Sequence, residues 1–285
     1  MTEDNKEDGS DPSNMNLSYT EERDALERAG PRAPVVYAAI SARGNEEMRR
    51  PLISLAGSGV SAGLVIMVSV VAEGLLHMVL PEFAGRSAVS DIGYTLGFII
   101  VILGRMQLFT EDTVTPVLPL LAHPSAIAFA RTGRLWVVVF AANLVGTFIA
   151  ALMLTKGGIV TAEQLEAILY VSAKVQNHGP LDTMLLAIPA GFLIAALVWC
   201  MPSARGNELL LIFFITYAIA LGDFAHVIAG SGEAFLLLLN GQADLRFVFV
   251  GYIAPAFAGN VLGGTVLFAT LAYVQVMEEI AAKKR

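Results

Sequence analysis

Two of the six long uncharged runs in this 285-residue chain stop too soon to cross a bilayer. A ~30 Å hydrocarbon core needs about 20 apolar helical residues at ~1.5 Å each. Residues 52–72, 135–155, 183–204 and 247–277 meet that length. Residues 92–104 stop at Arg105 and residues 209–222 at Asp223, so each run reaches only ~20 Å. Both are followed by a polar stretch and a second apolar piece, 113–122 and 234–240. They read as broken helices, the second and fifth of six.

Irregular backbone cannot face lipid, so both breaks must be buried in protein or line a cavity. The order long, broken, long occurs twice. With three spans per unit, the second unit enters from the opposite side, an inverted repeat whose paired interruptions point to a translocation site near the midplane. The third span carries Ala142-Asn143-Leu144-Val145-Gly146-Thr147 and the sixth Gly259-Asn260-Val261-Leu262-Gly263-Gly264. Small residues four apart, there and at Gly59/Gly63, let helix backbones approach closely.

Composition supports an all-α membrane protein: 55% of residues are hydrophobic and 15% charged, against about 25% charged in average globular domains. A disordered chain is excluded and an ordinary soluble enzyme disfavoured. Single Cys200 excludes a disulfide framework and a thiolate metal cluster. Of the 25 acids, 11 lie in the first 50 residues, so the net charge of −7 largely reports the tail. No basic patch interleaved with aromatics suggests nucleic acid. The expected division is a cytoplasmic N-terminal tail at 1–50, a transmembrane domain at 51–278 and a basic cytoplasmic C-terminus at 279–285. Within the tail, 1–20 read as disordered and not as a signal peptide. Residues 34–48 read as an amphipathic helix on the membrane surface or as a solvated linker. Near the membrane, nine Lys or Arg fall on the terminal side (Arg43, Arg49, Arg50, Arg131, Arg134, Arg205, Lys283, Lys284, Arg285) and four on the other (Arg86, Lys156, Lys174, Arg246). That places both termini in the cytoplasm.

Titratable groups at membrane depth gather in the breaks, and such groups are functional candidates. His226 is the only histidine in a break; an imidazole holds or releases a proton near neutral pH and can couple anion occupancy to proton transfer. Thr110, Thr113 and Ser231 can donate to a small polar solute or cap the following half-helix. Half-helices starting after each break would direct positive dipole ends inward, favouring an anion. Glu111, Asp112 and Glu233 would repel one if ionised and facing the lumen, or would stabilise helix starts by roughly 1 kcal/mol each. Arg105 and Asp223 stand before their breaks and, if paired, would cancel. Glu73 and His77 read as a surface or interfacial pair rather than a metal site. The Gly57-Ser58-Gly59 stretch lies within an uncharged run and reads as helix packing, not a phosphate loop. No metalloprotease, serine-hydrolase or phosphate-loop motif is present, so no enzyme, metal or cofactor reading has an anchor.

Arg50-Pro51-Leu52, Leu108-Phe109-Thr110, Asn143-Leu144-Val145-Gly146, Phe224-Ala225-His226 and the Gly259–Gly264 run, in that order, resemble the formate/nitrite transporter family from about Met48 to Val276. The resemblance implies an aquaporin-like fold, an inner-membrane homopentamer with one pore per subunit, and passage of small weak-acid anions such as formate, nitrite or hydrosulfide. His226 resembles the family's central pore histidine, Thr110 the threonine of the first broken loop, and Lys174 an anion-attracting vestibule lysine. Tyr94, Phe98 and Ile219 resemble one constriction, and Leu108, Phe109 and Ile194 the other. Asn143 and Asn260 resemble paired asparagines supporting the breaks. The chain departs from the pattern at Arg105-Met106-Gln107 and Glu111-Asp112, at Ala225 where an acid is usual, and at Gly230 where Asn is usual. The alternative readings are a pore for a neutral or cationic solute, selected by Arg105, Glu111, Asp112, Asp223 and Glu233, and a membrane anchor whose pore is closed.

Overall fold

Long stretches of Leu, Val, Ile and Ala with polar residues confined to their ends form helices that satisfy every backbone group internally. The structure is a computed structural model describing residues 18, 20, 21, 24 and 30–282. Most of the tail and Lys283–Arg285 lie outside the described residues. The chain divides into Met1–Arg32 and Ala33–Arg285. In the first unit, Ser18 donates to Glu21 from its backbone at 2.8 Å and its hydroxyl at 2.7 Å.

In the second unit the helices are α1 (Ala33–Glu47), α2 (Leu52–Val79), α3 (Arg86–Leu103), α4 (Phe109–Asp112), α5 (Val117–Ala122), α6 (Ala126–Lys156), α7 (Ala162–Ser172), α8 (Pro180–Cys200), α9 (Glu208–Leu221) and α10 (Val227–Leu239). A last span, Phe247–Glu279, contains two π-helical stretches, Phe247–Ile253 and Leu262–Ala269, around α11 (Ala254–Val261), and continues as α12 (Thr270–Ala282). Among the described residues five helices are long and apolar enough to span, while α9 and α10 are shorter.

Two expectations are corrected. The helix before the first break starts at Arg86 and not at 92, because Ser90 and Asp91 are buried; its 18 residues reach ~27 Å. After the breaks, helix resumes at Phe109 and Val227, earlier than 113 and 234, so Ser231 and Glu233 sit inside α10. The helix α1 packs one face on the protein through Val36, Tyr37, Ile40 and Gly44 and leaves Val35, Ala38, Ala39 and Ala42 exposed. Its Tyr37 hydroxyl donates to the Leu118 carbonyl at 2.6 Å, and a Cβ on Gly44 would collide with the Thr115 carbonyl.

Glycines set the helix crossings. A Cβ on Gly63 would strike the Asn143 carbonyl, one on Gly191 the Asn260 carbonyl, and one on Gly263 the Ile188 carbonyl. α2 thereby meets α6, and α8 meets the last span, at backbone contact. The irregular chain after α4 is buried, and side chains take two carbonyls at its start: Trp136 donates to that of Asp112, the last residue of α4, at 2.8 Å and Thr265 to that of Thr113 at 2.6 Å. Both bonds answer the demand that interrupted backbone in a membrane find its partners in protein.

Candidate functional site between two interrupted helices

Both interruptions are built alike. At the end of α3, Gly104 and Arg105 turn the chain, and the Met106 N–H donates back to Val101 at 3.0 Å. At the end of α9, Gly222 and Asp223 do the same, with Phe224 donating to Ile219 at 3.0 Å. This six-to-one closure puts the residue after the cap in the left-handed region, ordinarily glycine. Here Arg105 (φ 51°) and Asp223 (φ 49°) occupy it, each storing about 1–3 kcal/mol of strain that the surroundings must hold.

After each turn one extended residue, Leu108 (φ −110°, ψ 122°) or His226 (φ −95°, ψ 116°), precedes the next helix. One asparagine clamps each restart. Asn143 accepts the Phe109 N–H at 2.9 Å and donates to Gly59 at 2.8 Å and Gln107 at 2.9 Å. Asn260 accepts the Val227 N–H at 2.9 Å and donates to Ala187 at 2.8 Å and Ala225 at 2.9 Å. Both asparagines are fully buried.

The two restarts meet at His226, whose Nε2 lies 2.8 Å from Thr110 Oγ1, 116 positions apart in sequence. Its Nδ1 accepts the Ala229 N–H at 3.2 Å, so the imidazole caps α10. With Nδ1 an acceptor, the neutral ring carries its proton on Nε2 and donates to Thr110, leaving the threonine hydrogen free for another partner. The ring is 1% exposed and stands edge-on to Phe98, centroids 4.9 Å apart. Thr110, Thr113 and Ser231 cap no helix: the Thr113 hydroxyl bonds the Thr110 carbonyl at 2.7 Å and Ser231 that of Ile228 at 2.7 Å.

A cavity of about 50 Å³ reaches His226 from the side of Lys174, lined also by Tyr94, Ile219, Asp223, Glu233 and Tyr252; that is room for a few waters or a small solute. A separate groove, toward α1, is lined by Arg43, Glu46, Ile102, Leu103, Arg105 and Glu208 and shares no residue with it. Phe98, Leu108, Phe109 and Ile194 are each at most 1% exposed. Phe109 stacks on Phe257 at 5.1 Å and meets Phe140 edge-on at 4.9 Å.

The charged candidates fall elsewhere than expected. Arg105 and Asp223 do not pair with each other; Asp223 faces His178 at 3.2 Å. Glu111 is bound by Arg43 at 3.0 Å and Asp112 accepts from Thr115 at 3.3 Å, and neither lines the His226 cavity. Lys174 is not a bare attractor, since it is held by Glu73 at 2.7 Å and Asp91 at 3.3 Å. Burial opposes its charge, but these carboxylates outweigh that and keep the ammonium above the ordinary lysine range. Glu73 is therefore a buried partner of Lys174 rather than a surface mate of His77, which stacks on Tyr170 at 4.7 Å. Asp91 and Tyr252 did not stand out in the sequence, and Arg43 counted there only as a charge near the membrane. An acid and a tyrosine three apart in α3, Asp91 and Tyr94, were the available signal, since such spacing shares a helix face.

Interrupted helices that meet buried at a capped histidine, inside a bundle of spanning helices, define a multi-pass membrane transport protein rather than an enzyme. The sequence profile described as Formate/nitrite transporter matches residues 34–274, and the chain belongs to that family. It is 35% identical to the inner membrane protein YfdC of Escherichia coli (strain K12), over 91% of this chain and 84% of that one. It is 25% identical to the uncharacterized transporter YrhG of Bacillus subtilis (strain 168), over 88% and 95%. A formate-nitrite transporter of Plasmodium ovale is 23% identical, over 74% and 72%. Among solved structures, an FNT family ion channel superposes with TM-score 0.71 at 16% identity, over 84% of this chain and 98% of that one. A pentameric formate channel with formate bound superposes with TM-score 0.62 at 19% identity, over 83% and 99%. These two likenesses concern the fold.

Proposed function

We propose that the chain carries a small monovalent weak-acid anion of the formate, nitrite or hydrosulfide type across the inner membrane, with His226 as the central pore group and a proton moving with the solute. The observation that carries this reading is the His226–Thr110 bond joining the two interruptions at 2.8 Å inside a buried junction. Entering so apolar a passage costs a bare anion far more than its neutral acid, so proton transfer beside the junction lowers the barrier. The N-terminus of α10 adds a positive dipole end there. Two inverted three-helix units, cytoplasmic termini and a homopentamer with one pore per subunit complete the reading, supported by the matched architecture of the breaks and by likeness to a pentameric channel.

A second reading, a pore for a neutral or cationic solute, draws on Glu73, Asp223 and Glu233 lining the outer cavity. Stopped-flow flux into proteoliposomes with formate, nitrite, hydrosulfide, glycerol and ammonium separates the two. In the same assay His226→Asn keeps a cap for Ala229 but no titratable ring, and formate flux is expected to fall roughly a hundredfold. Unchanged flux in that variant overturns the role of His226.

A further inference from the structure

Glu233 is the carboxyl in the outer cavity that the fold leaves unmatched. It is 8% exposed and shares that cavity's lining with Glu73, Tyr94, Lys174, Asp223, His226 and Tyr252. The other acids have partners: Glu73, and Asp91 outside the lining, both on Lys174, and Asp223 on His178, which also lines the cavity. Among the described residues Glu233 makes no ion pair and accepts no hydrogen bond, and the charges that act on it are Glu73, Lys174 and Asp223. From α6 and α7 no titratable side chain lines the cavity. Ionised together, the lining acids Glu73, Asp223 and Glu233, with Asp91 also held by Lys174, would set four negative charges against the one ammonium of Lys174 and the imidazole of His178, and turn an anion away. With a proton on Glu233, each remaining acid faces a basic partner and the cavity holds one carboxylic O–H.

Resting on the anion reading above, we propose that Glu233 is the group that protonates the arriving solute. Its O–H bond breaks as an O–H, or for hydrosulfide an S–H, bond forms on the weak-acid anion. The neutral acid moves on past His226 and Phe98, and the carboxylate left behind faces the Lys174 ammonium and the phenols of Tyr94 and Tyr252. A hydronium ion from the outer solution returns the proton and leaves as water. Gly230 makes room for this arrangement, because a Cβ there would overlap the Tyr252 hydroxyl.

The test uses the full-length chain in liposomes containing a pH dye, with formate as probe and protein-free vesicles as blank. Wild type is expected to take up formate with internal acidification, faster as external pH falls. Glu233→Gln, which matches the side chain in size, should elute like wild type yet lose roughly tenfold or more of the uptake and its pH dependence. Glu233→Asp, still able to carry a proton, should retain both in part. Wild-type uptake in E233Q, greater uptake there, or pH-independent uptake in E233D overturns the proposal alone. A wild type that moves formate, nitrite and hydrosulfide no faster than the blank overturns the anion reading and this role together.

Discussion

Asn260→Ala should cost far more than one side chain of its size suggests. The residue is fully buried and holds three backbone groups: the Val227 N–H and the Ala187 and Ala225 carbonyls. The Ala187 carbonyl lies inside α8 and keeps its place in that helix's ladder. The Val227 N–H and the Ala225 carbonyl belong to the interruption and lose a partner outright. At about 1–3 kcal/mol for each buried group left unsatisfied, the loss is about 4 kcal/mol. For a domain of this size that corresponds to a fall of about 8–16 °C in Tm, measured by intrinsic fluorescence on the detergent-purified protein. Asn240→Ala is the reference, since Asn240 gives one hydrogen bond, to Leu236 at 2.8 Å, at the partly buried end of α10; it should cost less than ~1 kcal/mol. Asn143→Ala should match Asn260→Ala, the same three-bond clamp being present there. If Asn260→Ala melts within about 3 °C of Asn240→Ala, the clamp does not hold the restart and the reasoning fails.

Two further outcomes follow from the packing. Arg43→Ala strands the Glu111 carboxylate, whose side chain is 4% exposed, and should destabilise by about 2–4 kcal/mol, with much of that regained in Arg43→Ala/Glu111→Gln; chemical denaturation of the single and double variants measures it, and additive losses would refute the pairing. Ala substitution should change sign with position: at Gly63 and Gly191 the new Cβ meets a carbonyl, whereas at Gly57 nothing lies within 4 Å, so the first two lose stability and Gly57→Ala gains up to ~1 kcal/mol in thermal melts.

The helix stops at Arg105 and Asp223 were legible because a charge cannot extend an apolar run into lipid, and the Asn-Gly repeats because close helix crossings admit only small residues. Other features were not legible. Residues 86–91 look like a polar loop in sequence, yet they are the first turns of α3 because Asp91 finds Lys174 far along the chain. Ser231 and Glu233 look like part of a break, yet His226 caps the helix early enough to include them. The α1 segment has the composition of a surface helix, yet its Tyr37 reaches Leu118.

Sequence alone determined that this is a membrane chain, which family it resembles, where two crossings are interrupted and which histidine stands at one of them, because length, hydropathy and the cost of unpaired backbone in lipid are local constraints. Only the tertiary structure decided the charges: Lys174 joined to Glu73 and Asp91, Arg43 to Glu111, and Glu233 left facing the cavity. Whether a buried charge is matched depends on what the fold brings within a few ångströms of it, and no local pattern along the chain carries that information.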